Sequence, residues 1–152
     1  MGAVYFYHLT RSPLEAVLPM LAEKSLGAGW RVAVRGCDQE RMQWLDQKLW
    51  AGADDSFLPH GLAGGAHDAM QPILLSCEVS TANNPTCVLA VDGAEVTAEQ
   101  VIEMQRVSIL FDGNDEASLA HARQQWKTLT DAGCSAQYWS QESGNWEMKA
   151  ER

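Results

Sequence analysis

Short β-branched and aromatic runs alternate with helix-patterned segments along most of the chain, and that alternation restricts the fold more than any motif does. Val4 to Leu9 reads as a first strand. Ser12, Pro13 and Glu15 then form an S-x-x-E start signal, with the proline at the first helical position. Leu14, Val17, Leu18 and Leu21 recur at helical spacing until Gly27 or Gly29 ends the segment. Arg31 to Arg35 is a second strand, and Asp38 caps a helix with Met42, Leu45 and Leu49 on one face, flanked by Trp44 and Trp50.

After a Gly-rich loop (52–71), strands are expected at 72–77, 86–91 and 107–111, with a short helix starting at Thr97. Asn114 caps a helix running to about Ala132, where Gly133 stops it. Ala136 to Ser140 and Trp146 to Lys149 flank Glu142-Ser143-Gly144-Asn145, which predicts a C-terminal hairpin. Strands separated by helices imply one α/β domain spanning 1–152, its mostly parallel sheet covered on both faces. A chain of 152 residues, 46% hydrophobic and 20% charged, is long and apolar enough for a core that needs no disulfides.

That architecture invites a nucleotide, and the glycines do not supply the site. Gly27-Ala28-Gly29 lacks the third glycine of the dinucleotide fingerprint and follows a helix instead of preceding one. Gly61-Leu62-Ala63-Gly64-Gly65 is not followed by Lys-Ser/Thr. His60 and His67 bracket this loop, with Asp68 beside them, but two histidines seven apart are too few for a metal, and a turn-and-contact role is expected. Nucleophile motifs are missing, and the adjacent Asp54-Asp55 pair reads as solvated loop charge. No catalytic residue, cofactor or metal site is expected.

Charge sorts the partners. The net charge is −9, which opposes general binding to phosphate backbones. Between Lys48 and Arg106 there is no Lys or Arg against eight acidic residues, so an anionic partner must meet the N- or C-terminal third. Cys37, Cys77, Cys87 and Cys134 contain no CxxC pair and read as small buried thiols of a reducing cytosol. The N-terminus has neither the basic flank nor the apolar core of a secretory signal, and no run approaches the ~20 apolar residues of a membrane span. A cytoplasmic, non-membrane protein is expected.

The informative residues are aromatic. Trp50 closes the second helix and Phe57 follows seven residues later in a Gly-, Asp- and Pro-rich segment, where large rings either fold back or meet a partner. The block Leu45-Asp46-x-x-Leu49-Trp50, then Ser56-Phe57-Leu58-Pro59-His60, then Leu62-Ala63-Gly64, resembles the chi subunit of bacterial DNA polymerase III holoenzyme. The resemblance extends over the whole chain, though only this block is specific. It implies a nucleotide-binding-like fold without a nucleotide, and a non-enzymatic accessory role in DNA replication. It also implies two partners. The psi subunit, which attaches chi to the clamp loader, would meet Trp50, Phe57, Leu58 and Pro59, a surface a helicase can share.

The second partner implied is the acidic C-terminal tail of single-stranded DNA-binding protein, with DNA touched only indirectly. Helical spacing alone places Leu119, Ala122, Trp126 and Leu129 on a sheet-facing side, and Arg123, Lys127 and Thr130 on the adjoining one. A cation beside an apolar pocket suits a tail ending in an apolar residue with a free carboxylate. In the resemblance, Arg123, Trp126 and Lys127 match the tail-binding positions. Leu119, Thr130 and Asp131 stand where basic residues are found in the family, which implies a weaker seat, or substitution by Lys149 and Arg152. The alternatives are a chi-like protein that binds psi or a helicase with little tail binding, and a small nucleotide-binding enzyme.

Overall fold

The computed structural model describes residues 2–50, 60–77, 82–141 and 146–152. Along the chain come β1 (Ala3–Leu9), α1 (Leu14–Gly27), β2 (Val32–Arg35), α2 (Gln39–Trp50), β3 (His60–Leu62), β4 (Ile73–Ser76) and β5 (Cys87–Ala90). They are followed by α3 (Ala98–Glu103), β6 (Arg106–Asp112), α4 (Glu116–Asp131), β7 (Ser135–Ser140) and β8 (Glu147–Glu151). The strands form one sheet in the order β3-β4-β2-β5-β6-β1-β7-β8. Every pairing is parallel except β7 with β8, so the expected terminal hairpin pairing is present, with a bulge between Tyr138 and Trp139.

The central strands are apolar on both sides because both sides are covered. One core joins Leu18 and Leu21 of α1 and Met42 and Leu45 of α2 to Val32, Val34, Ile73 and Leu75 of the sheet. The other joins Val101 of α3 and Ala122 and Leu129 of α4 to Val4, Phe6, Val107 and Ile109. Alternation along β1 sends Phe6 to the second core and Tyr7 to the edge of the first.

The helix ends correct the sequence reading in two places. The Ser12–Glu15 box does not form: Pro13 is the cap residue and no side chain caps it. Ser12 is instead held from across the sheet, its N–H donating to Gln141 Oε1 at 2.9 Å. At α4 the cap is Asp115, whose carboxylate accepts from Ser118 N at 3.0 Å, while Asn114 Nδ2 donates to Thr10 O. The other end of α4 behaves as expected. Gly133 takes φ +91°, and the Gly133 and Cys134 N–H groups bond Thr130 O and Leu129 O, closing a Schellman motif.

Two further expectations change. The Gly-rich loop holds a strand, β3, paired with β4, and a 3-10 turn at Asp68–Met70. The four thiols are in no disulfide and are not uniformly buried. Cys87 and Cys134 are, Cys77 is half-buried with Sγ 3.6 Å from Gln39 Oε1, and Cys37 is exposed. Burial pushes the Cys87 thiol up, against the opposing hydrogen bond from Ser25.

Candidate functional site: two contact patches and a cleft

On α2, Met42, Leu45 and Leu49 are buried, so the next residue, Trp50, turns outward and stays 56% exposed. Its ring is not free-standing. It lies over His60, with centroids 4.3 Å apart and planes tilted 37°. The His60 side chain is fully covered and its Nε2 sits 3.1 Å from Asp46 O and 3.3 Å from Asp46 Oδ1. The first residue of β3 thus supports the last residue of α2. Phe57, Leu58 and Pro59 lie outside the described residues. Trp44, on the same helix, is screened by Arg41 at 4.3 Å and Lys48 at 5.4 Å from its ring.

His60 is therefore a packing residue, and Asp68 closes the glycine turn by accepting from Gly64 N at 2.9 Å and Gly65 N at 3.0 Å. Among the described residues, no three His, Cys, Asp or Glu side chains are grouped to hold a metal.

The second patch is on α4, across the sheet from α2. The stripe facing the sheet is Ala122, Gln125 and Leu129. Gln125 was missed at the sequence level because a glutamine carries no hydrophobic signal; its Nε2 donates to Ala94 O at 3.4 Å. Leu119 and Trp126, both expected on that face, are half-buried at its border. Trp126 packs edge-on against Phe6 at 5.4 Å and Tyr138 at 6.0 Å. Arg123 and Lys127 stand exposed beside it, one turn apart. The Thr130 hydroxyl turns back to donate to Trp126 O at 2.7 Å. Lys149 lies 3.3 Å from Glu147 on β8, and Arg152 pairs its backbone with Ala136.

A cleft of about 560 Å³ opens at the carboxyl ends of β1, β5 and β6, where the chain's helices change faces and doubly wound sheets place their ligands. The β1–α1 loop would present its N–H groups to a phosphate there. Three of them, from Thr10, Arg11 and Ser12, already converge on Gln141 Oε1 at 3.2, 3.1 and 2.9 Å. Arg41, at the rim, is tied to Asp92 at 2.9 Å. A neutral amide oxygen thus already accepts from three N–H groups of this loop, and nothing in the sequence near Ser12 signals a partner some 130 residues away.

Exposed aromatic and cationic patches on opposite faces, beside a cleft whose β1–α1 loop N–H groups are bonded to Gln141, define an α/β protein whose displayed chemistry is that of contact surfaces. The sequence profile of DNA polymerase III chi subunit, HolC, matches residues 1–137. A probable DNA polymerase III subunit chi from Rickettsia prowazekii (strain Madrid E) is 22% identical over 111 residues, 70% of this chain and 67% of that protein. The chain belongs to the DNA polymerase III chi subunit family. Its role is that of a replication accessory subunit. No helix among the described residues is long and apolar enough to cross a membrane.

Proposed function

We propose that the chain is a non-catalytic, cytoplasmic adaptor of the clamp-loader assembly, folding as one domain and joining psi to the acidic C-terminal tail of single-stranded DNA-binding protein. The observation that carries this reading is the placement of Trp50 and of Arg123 with Lys127 on helices that cover opposite faces of one sheet. Two partners can then be held at once without competing. Trp50, with Phe57, Leu58 and Pro59, forms the psi contact through aromatic burial. Arg123 and Lys127 receive the tail's carboxylates while Trp126 and Thr130 shape the apolar side. Because one DNA-coated filament displays many tails, a weak single contact still retains the polymerase by avidity.

Titration of a labelled tail peptide at two salt concentrations tests the reading. Salt-sensitive binding that Arg123→Ala weakens by ~1.5–3 kcal/mol, roughly 10- to 150-fold, supports it. Absence of binding by the unmodified protein removes the tail site. The second reading, a protein that holds psi or a helicase through Trp50 with little tail binding, draws support from the Thr130 hydroxyl bonded to its own helix and from Lys149 paired with Glu147.

A further inference from the structure

A second cleft, of about 480 Å³, lies between the C-terminal half of α1 and the face of β1 and β7 that no other helix among the described residues covers. Its walls are rings: Tyr7 from β1, Trp30 from the turn after α1, Trp139 from β7, and Trp146 just before β8. Tyr7 and Trp146 meet edge-on at 5.5 Å. Lys24 and Arg106 supply two cations, and none of the described residues that line the cleft is acidic. In a chain of net charge −9, two cations with no acidic neighbour among the described lining residues favour an anion locally. The Arg106 guanidinium is itself stacked, 4.1 Å from the Tyr5 ring and 5.1 Å from the Trp30 ring, so it is held in place before any ligand arrives. The nearest carboxylate along β8, Glu147, is paired with Lys149 at 3.3 Å.

We propose that this cleft binds single-stranded DNA, taking one base among the rings of Tyr7, Trp30, Trp139 and Trp146 and the flanking phosphates on Lys24 and Arg106. Stacking on an indole needs only the flat face every base has, and a cation pair without carboxylates suits a phosphate chain, so the combination is that of a sequence-tolerant single-strand site. The volume lies within the ~300–1,000 Å³ of pockets that enclose small ligands, which limits the contact to a nucleotide or so. The overall negative charge forbids a long electrostatic track and leaves a local one. This inference goes beyond the adaptor reading and does not depend on it.

The test is anisotropy titration of a short labelled oligothymidylate with the full chain across a range of salt. Two neutralised phosphates give a slope of log K against log salt of about −1.4, at roughly −0.7 each. Lys24 is exposed and at the end of α1, so Lys24→Gln keeps the fold and brings the slope to about −0.7. Trp146→Ala weakens binding about tenfold or more, with far-UV circular dichroism reporting that the sheet survives. Arg123→Ala leaves oligonucleotide binding unchanged, which separates this site from the tail site.

The proposal is overturned by an oligothymidylate that does not bind at low salt, or by binding that neither variant alters. Equal affinity for a duplex of the same length also overturns it, since a duplex cannot offer its base faces. Displacement of the oligonucleotide by an acidic peptide with an apolar C-terminus, binding more tightly and equally sensitive to Lys24→Gln, would reassign the cleft to a peptide.

Discussion

Gln141 and Ser12 are joined twice: Ser12 N donates to Gln141 Oε1 at 2.9 Å, and Gln141 Nε2 lies 3.3 Å from Ser12 Oγ. With Thr10 N and Arg11 N on the same oxygen, one buried side chain after β7 fixes the whole β1–α1 turn. Gln141→Ala orphans three N–H groups and is expected to cost about 1–3 kcal/mol. That corresponds to a fall of roughly 3–10 °C in Tm. Thermal unfolding checks it, and an unchanged Tm would mean that water replaces the amide freely.

Trp50 and His60 divide the work of the first patch. Trp50 is exposed, so Trp50→Ala should shift the urea midpoint little, a change under about 1 kcal/mol. The same substitution should cost about 2 kcal/mol or more in psi affinity, as for a central aromatic anchor. His60 is covered and supports the ring from below, so His60→Ala is expected to lose both stability and psi affinity. Isothermal titration with psi, set beside urea unfolding of each variant, separates the two effects. Undiminished psi binding by Trp50→Ala would end the assignment.

Burial pushes the Tyr7 phenol up to about 12, with Arg106 pulling the other way. The neutral form is the one the fold accepts. Its contribution is complete below the unfolded value of about 10 and is lost as pH rises toward the folded one. Between those limits stability should fall by about 1.4 kcal/mol per pH unit from this group. Urea unfolding from pH 8 to 11 measures the slope, and Tyr7→Phe should flatten it. Equal slopes in both proteins would assign alkaline sensitivity elsewhere.

What the sequence disclosed is what local pattern can carry. The β1 run, the Met42-Leu45-Leu49 stripe and the Gly133 stop were legible because each is decided within a few residues of itself. β3 was not, since a three-residue strand with a glycine at its centre forms only when Ile73 to Leu75 lies beside it. The Ser12 box looked local and lost to Gln141, a partner made adjacent by the β1–β7 pairing. The same pairing sets Tyr7 beside Trp139, and β8 beside β7 brings Trp146 to the same cleft. The exposed α4 edge was legible from helical spacing; the supporting role of His60 was not, because it depends on where α2 and β3 meet.

The turn after β6 sets the tightest constraint. Gly113 donates its N–H to Leu9 O at 2.8 Å and passes so close to His8 that a Cβ there would occupy the space of the imidazole. The ring cannot swing aside cheaply. It is buried, its Nδ1 is 2.9 Å from Tyr138 Oη, and it stacks on Phe111 with centroids 5.2 Å apart. Gly113→Ala should therefore cost about 1–3 kcal/mol through overpacking. His8→Ala alone leaves a cavity and also destabilises. In the double variant the new methyl group enters the space the imidazole leaves, so the two losses should fall short of their sum by 0.5 kcal/mol or more, within the roughly 0.5–3 kcal/mol seen for touching residues. A double-mutant cycle by urea unfolding reads that coupling directly, and simple additivity would show that the turn relaxes away from His8 instead of pressing on it.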